Sequence, residues 1–155
     1  MASNIEMSDD AKRACADALA KVLSDTFVLY LKTHNYHWNV EGENFRDLHE
    51  MFEEQYRDLW ETTDDLAERI RALGHYAPGT FAQFARLATV KEKDDIPRAN
   101  DMLRDLVADN EAVARTLRSA IATTQEAGDE ASAGLLTDRL TTHEKQVWMM
   151  KSMLA

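Results

Sequence analysis

Cysteine, proline and glycine are scarce in this sequence, and each scarcity removes a class of structure. The single cysteine, Cys15, can form no internal disulfide, which excludes a stapled secreted scaffold and fits a reducing compartment. Two prolines and five glycines in 155 residues are too few to turn the chain through a sandwich or barrel of short strands. No run approaches the roughly 18 apolar residues of a membrane span, so no membrane partner is expected. The opening MASNIEMSDDAKR has no apolar segment of the secretory kind, and a cytoplasmic location is expected. Basic residues are the minority, with 18 Lys and Arg against 28 Asp and Glu and a net charge of −10. Such a surface repels the phosphate backbone and argues against nucleic acid as a partner. It attracts cations, although solubility alone also accounts for it.

Helix-forming periodicity fills the space that turns leave. Ser8, Asp9 and Asp10 suit a helix start, after a short N-terminal extension of about 8 residues. Leu19, Val22, Leu23, Thr26, Phe27, Tyr30, His34 and His37 then recur at steps of three and four, one face of a helix. Asn39 to Glu43, around Gly42, reads as a break. Phe45, Leu48, Phe52, Tyr56, Leu59, Thr63, Leu66, Ile70 and Leu73 carry a second helix, which Gly74 ends. The next connection is long for a bundle and holds an apolar patch, Phe81, Phe84 and Leu87, which predicts a short helix. Asp95 and Pro97 suit the start of a third long helix, with Met102, Leu106, Asn110, Val113, Leu117, Ile121 and Thr124 as its seam. Gly128 closes it, Asp129 can cap the last, and Leu136, Leu140, His143, Val147, Met150 and Leu154 form the final seam. The fold class is therefore all-α: one ferritin-like domain over residues 1–155, a four-helix bundle with a short extra helix between helices two and three.

Three of the five histidines lie in HNYHWNVEGENFRDLHE, residues 34–50. With nearby carboxylates they offer His34, His37, His49, Glu53, Asp64 and Glu68 as metal ligands. His49 and Glu53 stand at i and i+4 on one helical face, and Asp64 and Glu68 repeat that spacing. Imidazole mixed with carboxylate suits iron, manganese or zinc better than calcium or magnesium. Plainer readings exist for each feature. A histidine on an apolar seam, such as His143, can be a hydrogen-bonded core residue. An acidic pair at i and i+4 can be solvated surface, as Glu50, Glu54, Asp58 and Glu61 suggest for this helix. No Glu-x-x-His occurs anywhere, so a di-iron centre of the usual kind inside one bundle is not expected. Asp64 follows His49 by 15 residues, roughly 22 Å along the helix with about 60° of rotation. One metal cannot touch both from the same helix. Either there are two separate half-sites, or two chains meet in an antiparallel two-fold pair.

The stretch THNYHWNVEGENFRDLHEMFEEQYRDLWETTDDLAERIRALG, residues 33–74, resembles the signature of the Dps family, the mini-ferritins called DNA-binding proteins from starved cells. His-Trp-Asn at 37–39, His-Glu-Met at 49–51 and Asp-x-x-x-Glu-Arg at 64–69 carry the resemblance, and the remaining helices fit in length and order. It implies a ferroxidase: a hollow homo-dodecamer, built from two-fold dimers, that oxidises Fe(II) with hydrogen peroxide or oxygen and stores Fe(III) mineral. It implies His37 as the partner's ligand, Asp64 and Glu68 as ligands of the tighter iron, and His49 and Glu53 as the weaker side. It also implies Trp38 packed beside the centre, zinc as an alternative metal there, and Asp129 and Asp138 as pore residues. Asp129 is equally readable as a plain helix cap. Glu53 departs from the aspartate of many relatives, and its longer arm would shift or weaken the second metal position. Relatives that bind DNA often use a Lys-rich tail, whereas the first 13 residues here hold only Lys12 and Arg13. DNA binding is therefore expected to be weak or absent. The alternative is a DNA-compacting nucleoid protein with little ferroxidase activity.

Overall fold

Five helices and no strand are found among residues 5–155, the part of the chain that the computed structural model describes. They are α1 (Asp9–Asn39), α2 (Phe45–Ala72), α3 (Phe81–Leu87), α4 (Ala99–Glu126) and α5 (Glu130–Leu154). Of the extension expected before α1, residues 1–4 lie outside the described residues. The Ser8 hydroxyl caps α1 by accepting from the Ala11 N–H at 3.1 Å, with Asp9 and Asp10 at the positive end of the helix dipole. The break around Gly42 is real: that glycine sits at φ 113°, where a side chain would be strained. Thr80 and Gln83 close a reciprocal capping box on α3, which explains how so short a helix is defined. α4 starts later than Asp95 and Pro97 suggested. Arg98 stays extended and caps without a side-chain bond, leaving Pro97 outside the first turn.

Cross-helix pairs give the helix directions. His37 meets His49 and Tyr30 meets Tyr56, so α2 runs against α1. Lys32 meets Asp105 and Asp109 while Asp25 meets Thr116, so α4 also runs against α1. Helices α2 and α4 are therefore parallel, the arrangement that the long second-to-third crossover permits. Gln55 with Gln146 and Arg69 with Asp129 set α5 antiparallel to α2. Leu19, Leu29, Leu48, Phe52, Leu66, Met102, Leu106, Leu117 and Leu136 are fully or almost fully buried between the four long helices. No described helix is long and apolar enough to cross a membrane.

Two polar clusters interrupt this core. The carboxylate of the fully buried Asp25 accepts from the Thr89 N–H at 2.6 Å, the Thr89 hydroxyl at 2.8 Å, the Val90 N–H at 3.1 Å and the Thr116 hydroxyl at 2.7 Å. It thereby ties the crossover to α1 and α4. Buried Lys32 pairs with Asp105 and Asp109, and Asp105 also accepts from the Tyr36 phenol and from Lys93. Burial alone would raise the Asp105 carboxyl, but those donors hold it below the ordinary carboxylate range.

The outer face of the α1–α2 pair differs from the seams read in sequence. Phe45 is exposed, and Tyr56 and Thr63 are only half-buried, while Gln55 and Thr62 take inward positions. Phe27, Tyr30 and His34 are half-buried as well. They belong to an aromatic stripe along the groove between the two helices rather than to the core.

Candidate metal centre

The short turn between α1 and α2 brings His37, in the last turn of one helix, against His49, near the start of the next. The rings stack with centroids 3.8 Å apart and planes 15° from parallel. Each ring is locked to the other's backbone: His37 Nδ1 donates to the His49 carbonyl and His49 Nδ1 donates to the His37 carbonyl, both at 2.7 Å. A carbonyl oxygen only accepts, so in the neutral rings both Nδ1 atoms carry the proton and both Nε2 atoms keep a free lone pair. That is the device which orients metal-binding imidazoles. Glu53, one turn after His49, brings Oε1 to 3.9 Å from His37 Nε2, and its other oxygen lies 3.5 Å from Arg57.

Asp64 and Glu68 are exposed at the other end of α2. Asp64 lies in a shallow depression lined by Trp60, Glu61, Thr63 and Asp65. The structure stacks His37 on His49 and puts Glu53 3.9 Å from His37, and it leaves Asp64 and Glu68 apart from them. Among the described residues, no three His, Cys, Asp or Glu side chains gather as a metal-holding group.

The remaining candidates separate by what their polar atoms do. His34 Nδ1 is 3.0 Å from the Tyr30 hydroxyl, and its ring lies flat on Tyr56 with centroids 3.8 Å apart. Burial lowers its basicity, and the neighbouring His37 lowers it further. Trp38 is 60% exposed and packs on His34 at 3.9 Å. His143 is a core residue: Asn110 Oδ1 takes Nδ1 at 2.8 Å and Arg139 approaches Nε2 at 3.4 Å. Burial, reinforced by the Arg139 charge, pushes its pKa down to about 3. Asp129, read either as pore or as cap, is a cap. Its carboxylate, buried inside the subunit, accepts from the Ser132 N–H, the Ser132 hydroxyl and Arg69. Burial pushes that carboxyl up, but the Ser132 hydrogen bonds and Arg69 more than offset it and hold it low. Asp138 is exposed. Asp58, read as solvated surface, is instead half-buried and paired with Arg139 at 2.9 Å.

Periodicity placed Tyr30 and Tyr56 in the apolar seams and did not single out Trp60, whereas the three line the groove beside the histidines. Tyr30, His34 and Trp38 stand four residues apart on α1, and Tyr56 and Trp60 repeat that step on α2. The i, i+4 aromatic spacing was the available signal.

A model of the ferritin-like domain matches residues 16–155. A curated DNA protection during starvation protein from Brevibacillus brevis is 36% identical over 148 residues, 96% of this chain and 99% of that one. The crystal structure of a Vibrio cholerae protein, described as a DPS protein of a broad superfamily of ferritin-like diiron-carboxylate proteins, superposes with a TM-score of 0.93 at 33% identity. The superposition covers 100% of this chain and 98% of that one. The chain belongs to the Dps family. An uncharacterized low temperature-induced protein of Nostoc is also similar to this Dps chain, at 39% identity over 97% of it and 86% of the Nostoc sequence.

Proposed function

We propose that this Dps-family chain is an iron-oxidising and iron-storing mini-ferritin. It oxidises Fe(II) with hydrogen peroxide, or oxygen, at centres shared by two subunits. The whole of residues 1–155 serves as one domain, and twelve copies enclose Fe(III) mineral in the cytoplasm, which protects the cell from oxidative stress. The observation that carries this reading is the reciprocal lock between His37 and His49. Two imidazoles with fixed tautomers and free Nε2 lone pairs, beside a carboxylate, make half of a transition-metal site. Asp64 and Glu68 make the other half, and an antiparallel two-fold dimer brings one subunit's acids to its neighbour's histidines.

In that arrangement Asp64 and Glu68 hold the tighter iron together with His37 of the other subunit. His49 and Glu53 serve the weaker position. Two Fe(II) held side by side each give one electron to hydrogen peroxide, which takes up two protons and leaves as two waters. Paired delivery avoids the one-electron step that releases hydroxyl radical. Zinc competes for the same imidazole and carboxylate donors. Exposed Asp138 is a candidate for the iron entry route, whereas Asp129 is committed as a cap.

The test uses two inactive variants, one lacking His37 and His49 and the other lacking Asp64 and Glu68. Unfolded together in equal amounts and reassembled, they form mixed dimers in which one site collects both intact halves. With random pairing about half the dimers are mixed, so about a quarter of all sites should regain Fe(II) oxidation. A mixture that assembles into verified mixed dimers and stays inactive rejects the shared centre.

A further inference from the structure

The aromatic stripe in the groove of α1 and α2 connects the two half-sites of one subunit. His37 lies edge-on to Tyr56 at 5.1 Å, and Tyr56 stacks on His34 at 3.8 Å and approaches Tyr30 at 6.2 Å. Tyr30 meets Trp60 at 5.2 Å, and Trp60 lines the same depression as Asp64. Every gap is an ordinary contact between rings. From His49 to Trp60 the stripe covers roughly 16 Å of the roughly 22 Å that separates His49 from Asp64 along α2. At its midpoint the Tyr30 phenol lies 3.0 Å from His34 Nδ1, which places a ring nitrogen ready to take the proton that oxidation of that hydroxyl releases.

We propose that this stripe is an electron relay in which Tyr30, with His34 as its proton acceptor, supplies a second electron when a centre holds only one Fe(II). The proposal rests on the ferroxidase reading above. One Fe(II) and one tyrosine then replace the pair of irons: Fe(II) becomes Fe(III), and the Tyr30 O–H bond breaks. Its electron goes to hydrogen peroxide and its proton moves to His34 Nδ1. With two protons from solvent, the peroxide leaves as two waters. A later Fe(II) returns an electron to the neutral tyrosyl radical, which recovers its proton, so the sum is again two irons oxidised per peroxide. Because the histidine end and the acid end of one subunit serve different centres of the dimer, the relay also lets two half-filled centres act as one pair.

Two arms test it. In the first, iron-free protein is oxidised by a flash-excited ruthenium tris-bipyridine complex with an electron-accepting quencher, and the radical is read by electron paramagnetic resonance. The wild type should give a tyrosyl signal, which Tyr30→Phe and His34→Leu each reduce several-fold. Tyr76→Phe, at an exposed ring away from the stripe, should leave it intact. An unchanged signal in Tyr30→Phe overturns the relay. In the second arm, shells loaded with one Fe(II) per centre receive hydrogen peroxide in the presence of a spin trap. Tyr30→Phe should release several-fold more hydroxyl radical than wild type, and equal yields overturn the electron-donating role. Circular dichroism and light scattering verify each shell. If Tyr30→Phe does not assemble, His34→Leu keeps the phenol and carries both arms. A wild type that consumes no Fe(II) defeats the ferroxidase reading, while the iron-free arm still judges the relay.

Discussion

His37 and His143 are buried to similar degrees, 6% and 2% exposed, and both continue the apolar face of a long helix. What their ring nitrogens do separates them. In the α1–α2 groove, His37 uses Nδ1 on a carbonyl and leaves Nε2 without a hydrogen bond, 3.9 Å from Glu53. In the core between α2, α4 and α5, Asn110 and Arg139 stand at the two nitrogens of His143, and Arg139 is paired in turn with Asp58. One region leaves coordinating capacity open at its surface, and the other closes every ring on itself. Burial therefore does not separate the two histidines; the count of uncommitted lone pairs does.

Substitutions can break that comparison from both sides. The largest effect is expected at the acid half: Asp64→Ala or Glu68→Ala should abolish fast Fe(II) oxidation, measured by stopped-flow absorbance, with helix content unchanged. Both carboxylates are exposed and make no bond that the fold needs. His37→Ala should cost more activity than His49→Ala, and equal losses would reject the division into a tighter and a weaker side.

The core histidine should behave in the opposite way. His143→Leu leaves Asn110 and Arg139 facing an apolar side chain and should destabilise the subunit by about 2–3 kcal/mol in chemical denaturation. Its pH signature follows from the depressed pKa. A histidine near 6.5 when unfolded and about 3 when folded binds its proton more readily in the unfolded chain between those values. The stability it confers is complete above pH 6.5 and drains away as pH falls toward 3. His143→Leu should flatten that part of the stability–pH curve, and an unchanged slope would show that another group causes the acid loss.

The smallest effect concerns the surface as a whole. With a net charge of −10, the protein should leave plasmid DNA unshifted in a gel near pH 7 and about 0.1 M salt without divalent metal. Tight binding that weakens steeply with added salt would favour the DNA-compacting alternative.

Most of the fold was legible because it rests on local signals. Ser8, Gly42, Gly74, Gly128 and Asp129 each mark a helix end through their own backbone or side-chain chemistry. The meeting of His37 and His49 was legible for the same reason, since only a short turn separates their helices. Three things were not. The Asp25 and Asp58 partners lie in the crossover or on other helices, more than 60 positions away in each case, beyond the reach of any spacing rule. The aromatic stripe carries the same i, i+4 period as core, so periodicity assigned Tyr30 and Tyr56 to the interior. The role of Asp129 depended on Arg69, 60 positions away, which turns a cap that could have faced a pore into a buried ion pair.

The Asp25 clasp bears on how the chain finds its third long helix. A connection from Leu73 to Arg98 would otherwise close as one slack loop, and the entropy of closure grows with loop length. Fastening Thr89 and Val90 to α1 splits it into two shorter spans, each closed on its own. The span around Gly79, which is exposed and has no neighbour within 4 Å of where a side chain would begin, then carries little of the closure. It is the place where the polypeptide should tolerate a protease nick or an inserted peptide while the bundle stays closed.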